Sequence, residues 1–358
     1  MSTAFPAENF AEFCGQPYGR SIQKRSVECA EIPQSDRPNF FLASTGVFQK
    51  AVVYYNRMLC LAGRRESCRG RERMGKRMDV SKKKQLTATA TRIRMAVIEG
   101  TFHAKSGHPG GSLSVADTLA YLYFSELRVD PSRPKWEGRD RFVLSKGHCA
   151  PALYGALALR GFFPEEEIKK LRKSGAMLQG HPDMKGTPGV DMSTGSLGQG
   201  VSAAVGMALA AKLDGADWRT YAVLGDGEIE EGQVWEAAMF AAHKKLDNLC
   251  IVVDNNNLQI DGTLEEVNSP YPIPEKFQAF GFHVETIDGH DFDQIERAFE
   301  AARACKGRPT AIIQKTHKGR GVSFMEDQAS WHGSAPNEEQ YHQAMAELEA
   351  ALAKVEEA

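Results

Sequence analysis

TYAVLGDGEIEEGQVWEAAMFAAHKKLDNLCIVVDNNN, residues 220–257, decides the fold. Thr220–Leu224 is a short apolar run ended by Gly225-Asp226-Gly227. Gln233–Lys245 reads as a helix. Leu249–Val253 is a second apolar run, ended by Asp254-Asn255-Asn256-Asn257. A strand, a helix and a strand of these lengths make a βαβ unit with parallel, doubly covered strands. In an open parallel sheet, ligands gather at the carboxyl ends of strands. Asp226 and Asn256 both stand at such ends, 30 positions apart. If the strands are neighbours, a carboxylate and an amide oxygen converge there. Hard oxygen donors of this kind suit Mg²⁺, which takes phosphate oxygens as further ligands. Gly225 and Gly227 let the backbone approach a phosphate without Cβ clashes. An Asp-Gly turn or an Asn-rich loop alone is commonplace. The pair, at this spacing and at two strand ends, points to a site for a metal-held diphosphate.

The alternation continues outward. Phe282–Ile287 and Thr310–Gln314 read as strands around a helix at Asp291–Ala304. Upstream, Arg141–Leu144 is a short strand, and Ala150–Arg160 and Val201–Leu213 are helices. Leu86–Ala104 is an amphipathic helix with Leu86, Ala90, Ile93 and Val97 on one face. Ser106–Gly111 reads as a loop, Ser114–Leu127 as a second helix, and Pro164 as the opening of another. The expected class is α/β, a mostly parallel sheet flanked by helices. It occupies 81–336, and 337–358 forms a C-terminal helical tail. Residues 1–80 lack a clear period and end in the Arg/Lys-rich stretch Arg64–Lys84. They read as a poorly structured extension or an early start, with Met74 and Met78 as alternative starts.

The whole chain has 358 residues, 44 Lys+Arg against 46 Asp+Glu, and 25% charged residues. That balance leaves no electrostatic footprint for nucleic acid. No uncharged apolar run reaches the length of a membrane helix. Seven cysteines without a CxxC pair suggest reduced thiols and a cytoplasmic setting.

Two further features bear on chemistry. Gly195-Ser196-Leu197-Gly198-Gln199-Gly200 opens the helix at Val201, a plausible anion site that glycine packing alone could also explain. His108, His148, His181 and His332 all lie in glycine-rich loops. One such histidine is ordinary, but four suggest a site that bonds hydroxyls and moves protons. The spacing is wrong for zinc.

At these residues the chain resembles transketolase, specifically its N-terminal, diphosphate-binding half. Gly225-Asp226-Gly227 through Asn256 is similar to the thiamine diphosphate motif shared by many thiamine enzymes. More specific are SGHPGG (Ser106–Gly111), SKGH (Ser145–His148), GHP (Gly180–Pro182), GSLGQG (Gly195–Gly200), KTHKGRGV (Lys315–Val322) and WHG (Trp331–Gly333). They stand in family order from about Ala88 to Pro336.

The resemblance implies the thiamine diphosphate-binding fold, with Asp226, Asn256 and the Leu258 carbonyl as Mg²⁺ ligands. Gly225, Gly227, Gly195, Ser196 and Leu197 would line the cofactor. His148 and His332 would contact the diphosphate or the reacting carbons. His181 would bond a donor hydroxyl, and His108 would face the acceptor. Glu231 resembles an acidic residue at the subunit interface. A full transketolase continues into a pyrimidine-binding domain, which carries the glutamate that protonates the cofactor and most of the arginines that bind sugar phosphate. This chain stops about 25 residues after Trp-His-Gly. The pattern therefore resembles the N-terminal subunit of a split transketolase, inactive alone and expected in an α₂β₂ assembly with a C-terminal subunit. The implied reaction moves a two-carbon ketol unit between sugar phosphates of the pentose phosphate pathway. Two other readings stay open: another thiamine enzyme, such as the α chain of a 2-oxo-acid dehydrogenase, and a non-catalytic binding protein.

Overall fold

A computed structural model describes residues 77–357. The expected extension, with Cys14, Cys29, Cys60, Cys68 and Met74, lies outside the described residues up to position 76. Among the described residues, no helix is long and apolar enough to cross a membrane.

Five parallel strands form the centre: β1 (Arg141–Leu144), β2 (Thr220–Gly225), β3 (Leu249–Asn255), β4 (His283–Asp288) and β5 (Thr310–Lys315). Their order across the sheet is β1-β2-β3-β5-β4. Strand side chains alternate between faces, and here both faces are covered. Tyr221, Val223, Cys250, Val252 and Ile312 join one core, while Ala222, Leu224, Ile251, Val253, Ala311 and Ile313 join the other. That is why β2 and β3 read as unbroken apolar runs rather than as alternating ones. The edge strand β4 is more polar, with Glu285 and Asp288 along it, which blunts an edge that could otherwise pair with another chain.

The first core is roofed by α1 (Val80–Ala104), α2 (Pro109–Ser114), α3 (Ala116–Tyr121), α4 (Ala150–Arg160), α9 (Phe292–Ala304) and α10 (Glu338–Glu357). The second is covered by α5 (Gln199–Leu213), α6 (Gly232–His243) and α8 (Ile273–Ala279); α7 (Leu264–Val267) is one short turn. Asp79 caps α1 by accepting from Lys82 N, and Leu86, Ala90, Ile93 and Val97 are buried as their spacing required. At the C-terminus, α10 packs on α1: Ala344 and Leu348 are buried, and Tyr341 stacks on Phe102 at 4.1 Å.

Three expectations are corrected. Pro109-Gly110-Gly111 is not loop but the first turn of α2. Pro109 is at the helix start, where its missing N–H costs nothing. Gly110 is there for contact: a Cβ would meet the Trp331 carbonyl at 2.8 Å. The expected continuous helix Ser114–Leu127 is broken at Val115 and ends in a widened π turn, Leu122–Glu126. Pro164 opens a 3₁₀ run, Glu165–Lys170, rather than an α-helix.

Candidate active site

β2 and β3 pair in register, Gly225 opposite Asp254, so Asp226 and Asn256 leave adjacent strands at the same edge. They face a cavity of about 300 Å³. Its wall brings together His108, His148, His332, Gly195, Leu197, Gly225, Asp226, Gly227, Asn256 and Leu258 from distant parts of the chain. Lys146, Glu228, Gln259 and Lys318 also line it. His181, Ser196 and Glu231 stand outside this wall. His181 is next to it, its ring 6.3 Å from that of His108. Glu231 is exposed at the start of α6 and packs on Gly198.

Two buried carboxylates hold the loops together, and the sequence motifs did not single out either. Glu228 accepts from Ser145 Oγ, from Gly198 N at 3.0 Å and from Gly225 N at 3.0 Å. It thereby ties the SKGH, GSLG and GDG loops to one another. Asp254 accepts from Lys146 Nζ, Thr316 Oγ1, Ser114 Oγ at 2.6 Å and Asn256 Nδ2 at 3.2 Å. Burial, the largest single influence, opposes its charge, but Lys146 together with the Ser114 and Thr316 hydrogen bonds overcomes it and holds the Asp254 carboxyl below the usual range. Lys146, equally buried, is raised in turn. A glycine completes the assembly: a Cβ on Gly147 would lie 2.7 Å from Gly195 N, so only a bare backbone lets these two loops touch.

Asp226 differs from Asp254. Its oxygens accept from Gly227 N at 2.9 Å, Asn257 N at 2.6 Å and Asn255 Nδ2 at 3.1 Å, all neutral donors. Burial first, and the neighbouring Asp254 charge second, push its pKa up to about 6. A buried carboxylate without a cationic partner is a place where an added cation gains most. The Asn256 amide oxygen accepts from Leu258 N at 3.2 Å. Among the described residues no three His, Cys, Asp or Glu side chains group as a metal site. A metal here would therefore rest on Asp226 and on neutral oxygens, a donor set that fits a hard cation sharing its shell with phosphate.

The histidines form a tight group. Ring centroids are 5.4 Å apart for His108 and His148, 5.5 Å for His108 and His332, and 5.1 Å for His148 and His332. Burial, then nearby cations, lowers all of them: His332 to about 3, His108 to about 4 and His148 well below its usual value. They are neutral rings at pH 7, able to donate or accept. Lys318 Nζ donates to His332 Nδ1 at 2.9 Å, which assigns the His332 proton to Nε2. His108 Nδ1 is buried and has no partner among the described residues. Lys318 also donates to the carbonyls of Leu258 at 3.1 Å and Gln259 at 3.2 Å. Burial and Lys146 lower its pKa to about 8.

A phosphate-friendly edge joined to a neutral histidine cluster agrees with the known proteins this chain resembles. Residues 85–352 match the family described as transketolase, thiamine diphosphate binding domain. A 6-deoxy-6-sulfo-D-fructose transketolase subunit from Clostridium sp. (strain MSTE9) is 50% identical over 257 residues, covering 72% of this chain and 94% of that protein. An apulose-4-phosphate transketolase subunit from Phocaeicola vulgatus is 44% identical over 263 residues, covering 74% and 93%. Among solved structures, the transketolase of Campylobacter jejuni superposes with a TM-score of 0.71 at 33% identity, over 78% of this chain but 46% of its own. The chain thus spans nearly all of the two bacterial subunits and less than half of that longer transketolase. It belongs to the transketolase family of transferases, matching the family's N-terminal, thiamine diphosphate-binding part.

Proposed function

We propose that this chain is the diphosphate-binding subunit of a two-subunit transketolase that moves a two-carbon ketol unit from a ketose phosphate to an aldose phosphate. The observation that carries the reading is Asp226: a buried carboxylate with neutral donors alone, beside the Asn256 oxygen and facing the histidine cluster. Asp226, Asn256 and the Leu258 carbonyl would hold Mg²⁺. Bound thiamine diphosphate supplies a carbanion equivalent that accepts and releases the two-carbon unit. Lys146 and Lys318 place positive charge at the diphosphate end. His148, His332 and His108, neutral at working pH, bond hydroxyls and transfer protons without a buried positive charge. His332 offers its Nε2–H because Lys318 occupies Nδ1. His181 would meet the donor hydroxyl from just outside the wall. Gly195–Leu197 and Gly225–Gly227 line the cofactor, and Leu197 leaves apolar surface toward it.

The activity is proposed to need a C-terminal subunit carrying the pyrimidine side. Adjacent helices α5 and α6 leave Leu213, Met239 and Phe240 exposed, and this face, with Glu231 at its edge, is where an α₂β₂ contact would form. The free thiols Cys149, Cys250 and Cys305 agree with a cytoplasmic setting. The pentose phosphate pathway is one home for the reaction; the relatives named for a sulfo-sugar and for apulose 4-phosphate make other sugar routes equal candidates.

The test is to purify the tagged chain from its host and assay it with xylulose 5-phosphate and ribose 5-phosphate, adding thiamine diphosphate and Mg²⁺. Sedoheptulose 7-phosphate formed in the presence of a co-purifying second subunit supports the proposal. Activity of the chain alone refutes the need for a partner. In parallel, Asp226→Ala is expected to keep its circular dichroism spectrum and lose thiamine diphosphate affinity; unchanged affinity would remove Asp226 from the site.

A further inference from the structure

The deep cations of the pocket are already engaged: Lys146 by Asp254, and Lys318 by two carbonyls and His332. Arg172 is not. It follows the 3₁₀ run Glu165–Lys170 and precedes the Gly180-His181-Pro182 loop. Its backbone is left-handed, φ 60°, a conformation that costs a non-glycine residue roughly 1 kcal/mol. Its N–H donates to the Leu178 carbonyl at 2.8 Å and folds the segment back on itself. That fold lays the guanidinium against Gly180, where a Cβ would stand 2.7 Å from Arg172 Cζ. Nη1 donates to Ser106 Oγ at 3.2 Å, its one side-chain partner among the described residues.

One exposed side chain thus bridges the segment bearing His108 and the loop bearing His181. It is close enough that its charge, after burial, is the next cause lowering both rings. Other arginines of this unit, Arg94 and Arg139, are neutralised by Asp117 and Asp191. Guanidinium offers five N–H donors and Ser106 uses one. Strain, a glycine cut to its shape and an unneutralised charge coincide at the rim of the histidine cluster.

We propose that Arg172 reads the tetrahedral anionic group at the far end of the sugar substrate, phosphate or sulfonate, while the hydroxyls pass His181 and His108. This rests on the sugar-phosphate reading above and adds to it an anion contact supplied by this chain rather than by its partner. A planar fork matches a tetrahedral oxyanion through paired hydrogen bonds, which a lysine does not reproduce.

Two measurements test it. In the full chain labelled at histidine, ribose 5-phosphate but not ribose is expected to raise the His181 pKa, since an anion beside the ring favours its charged form. Arg172→Gln is expected to abolish that response. A missing response in the unaltered chain, an equal response to ribose, or an unchanged response in Arg172→Gln overturns the proposal. In the assembled enzyme, Arg172→Gln is expected to raise KM about tenfold for a phosphorylated or sulfonated aldose, the worth of one charge-assisted contact. KM for the uncharged glycolaldehyde stays put, and Arg172→Lys recovers only part. Equal KM changes for charged and uncharged acceptors overturn it. The first measurement needs no turnover, so absence of ketol transfer would count against the proposed function while leaving Arg172 to be judged by binding.

Discussion

Asp254 holds the site more than any residue that faces substrate. It is buried, pairs with a buried lysine and gathers donors from α2, the β1 end and the β5 end. Removing one member of such a pair strands the other as an uncompensated charge, at a cost of about 3–5 kcal/mol. Asp254→Asn is therefore expected to shift the urea midpoint sharply, and adding Lys146→Met should restore part of the loss. A midpoint that does not move would mean Lys146 finds another partner. Asp254 could not be singled out from the sequence, because it stands inside an apolar strand beside three asparagines that looked more exposed to ligand. Asp226 and Asn256 could be, because strand ends are legible from where apolar runs stop. The tetrad of histidines was legible as loop residues. Their neutrality was not, since it comes from burial and then from cations that the fold brings beside them, Arg172 at His108 and His181, Lys146 at His148 and Lys318 at His332.

At the level of elements, the strands were legible, with boundaries within two residues, because a doubly covered strand has no polar face to confuse the reading. Short helices were harder. The SGHPGG segment looked non-helical because two glycines weaken a helix, yet they are present so that other loops can touch α2. Contacts between distant loops leave no local period to read. Gly147 is another contact of this kind. Alanine there would collide with the Gly195 backbone, which has no flexible end to yield. Overpacking of this kind costs roughly 1–3 kcal/mol, and the displaced GSLG loop should lose about tenfold or more in thiamine diphosphate affinity. As a control, Asp79→Ala removes the α1 cap and is expected to cost about 1 kcal/mol of stability with unchanged cofactor affinity. Calorimetry on both variants separates the two effects. If Gly147→Ala binds cofactor normally, the loop contact is not what shapes the pocket.

For the whole described unit, the histidines of the pocket and its rim set the response to acid. Each has a folded pKa below its unfolded value near 6.5. Between those values the unfolded chain binds more protons, so stability is present above about pH 6.5 and lost as pH falls toward 4. Asp226 acts in the opposite direction, since its pKa is raised to about 6 and its contribution falls as pH rises through 4 to 6. Glu228 and Asp191, raised by burial, act with Asp226. Four lowered histidines against these three carboxylates predict a small net loss of melting temperature on the acid side, reduced when His148 and His332 are replaced by glutamine. A melting temperature that climbs from pH 6.5 to 4 would contradict this balance.

The packing of α10 on α1 has a consequence for how the polypeptide can be rewired. Glu356 touches both Lys84, whose Nζ reaches its carbonyl at 2.8 Å, and Arg92, at 2.6 Å. Glu357 therefore stands close to the beginning of α1, while the turn at Gly307 is exposed and a Cβ there would meet nothing within 4 Å. Joining 357 to 77 through a short linker and opening new termini at Gly307 yields a circular permutant whose order of segments is new and whose packing is the same. It should melt within a few degrees of the parent and bind thiamine diphosphate equally well. The closed end of this unit would then be a seam that can be cut and resewn, with no part in the chemistry at the strand ends.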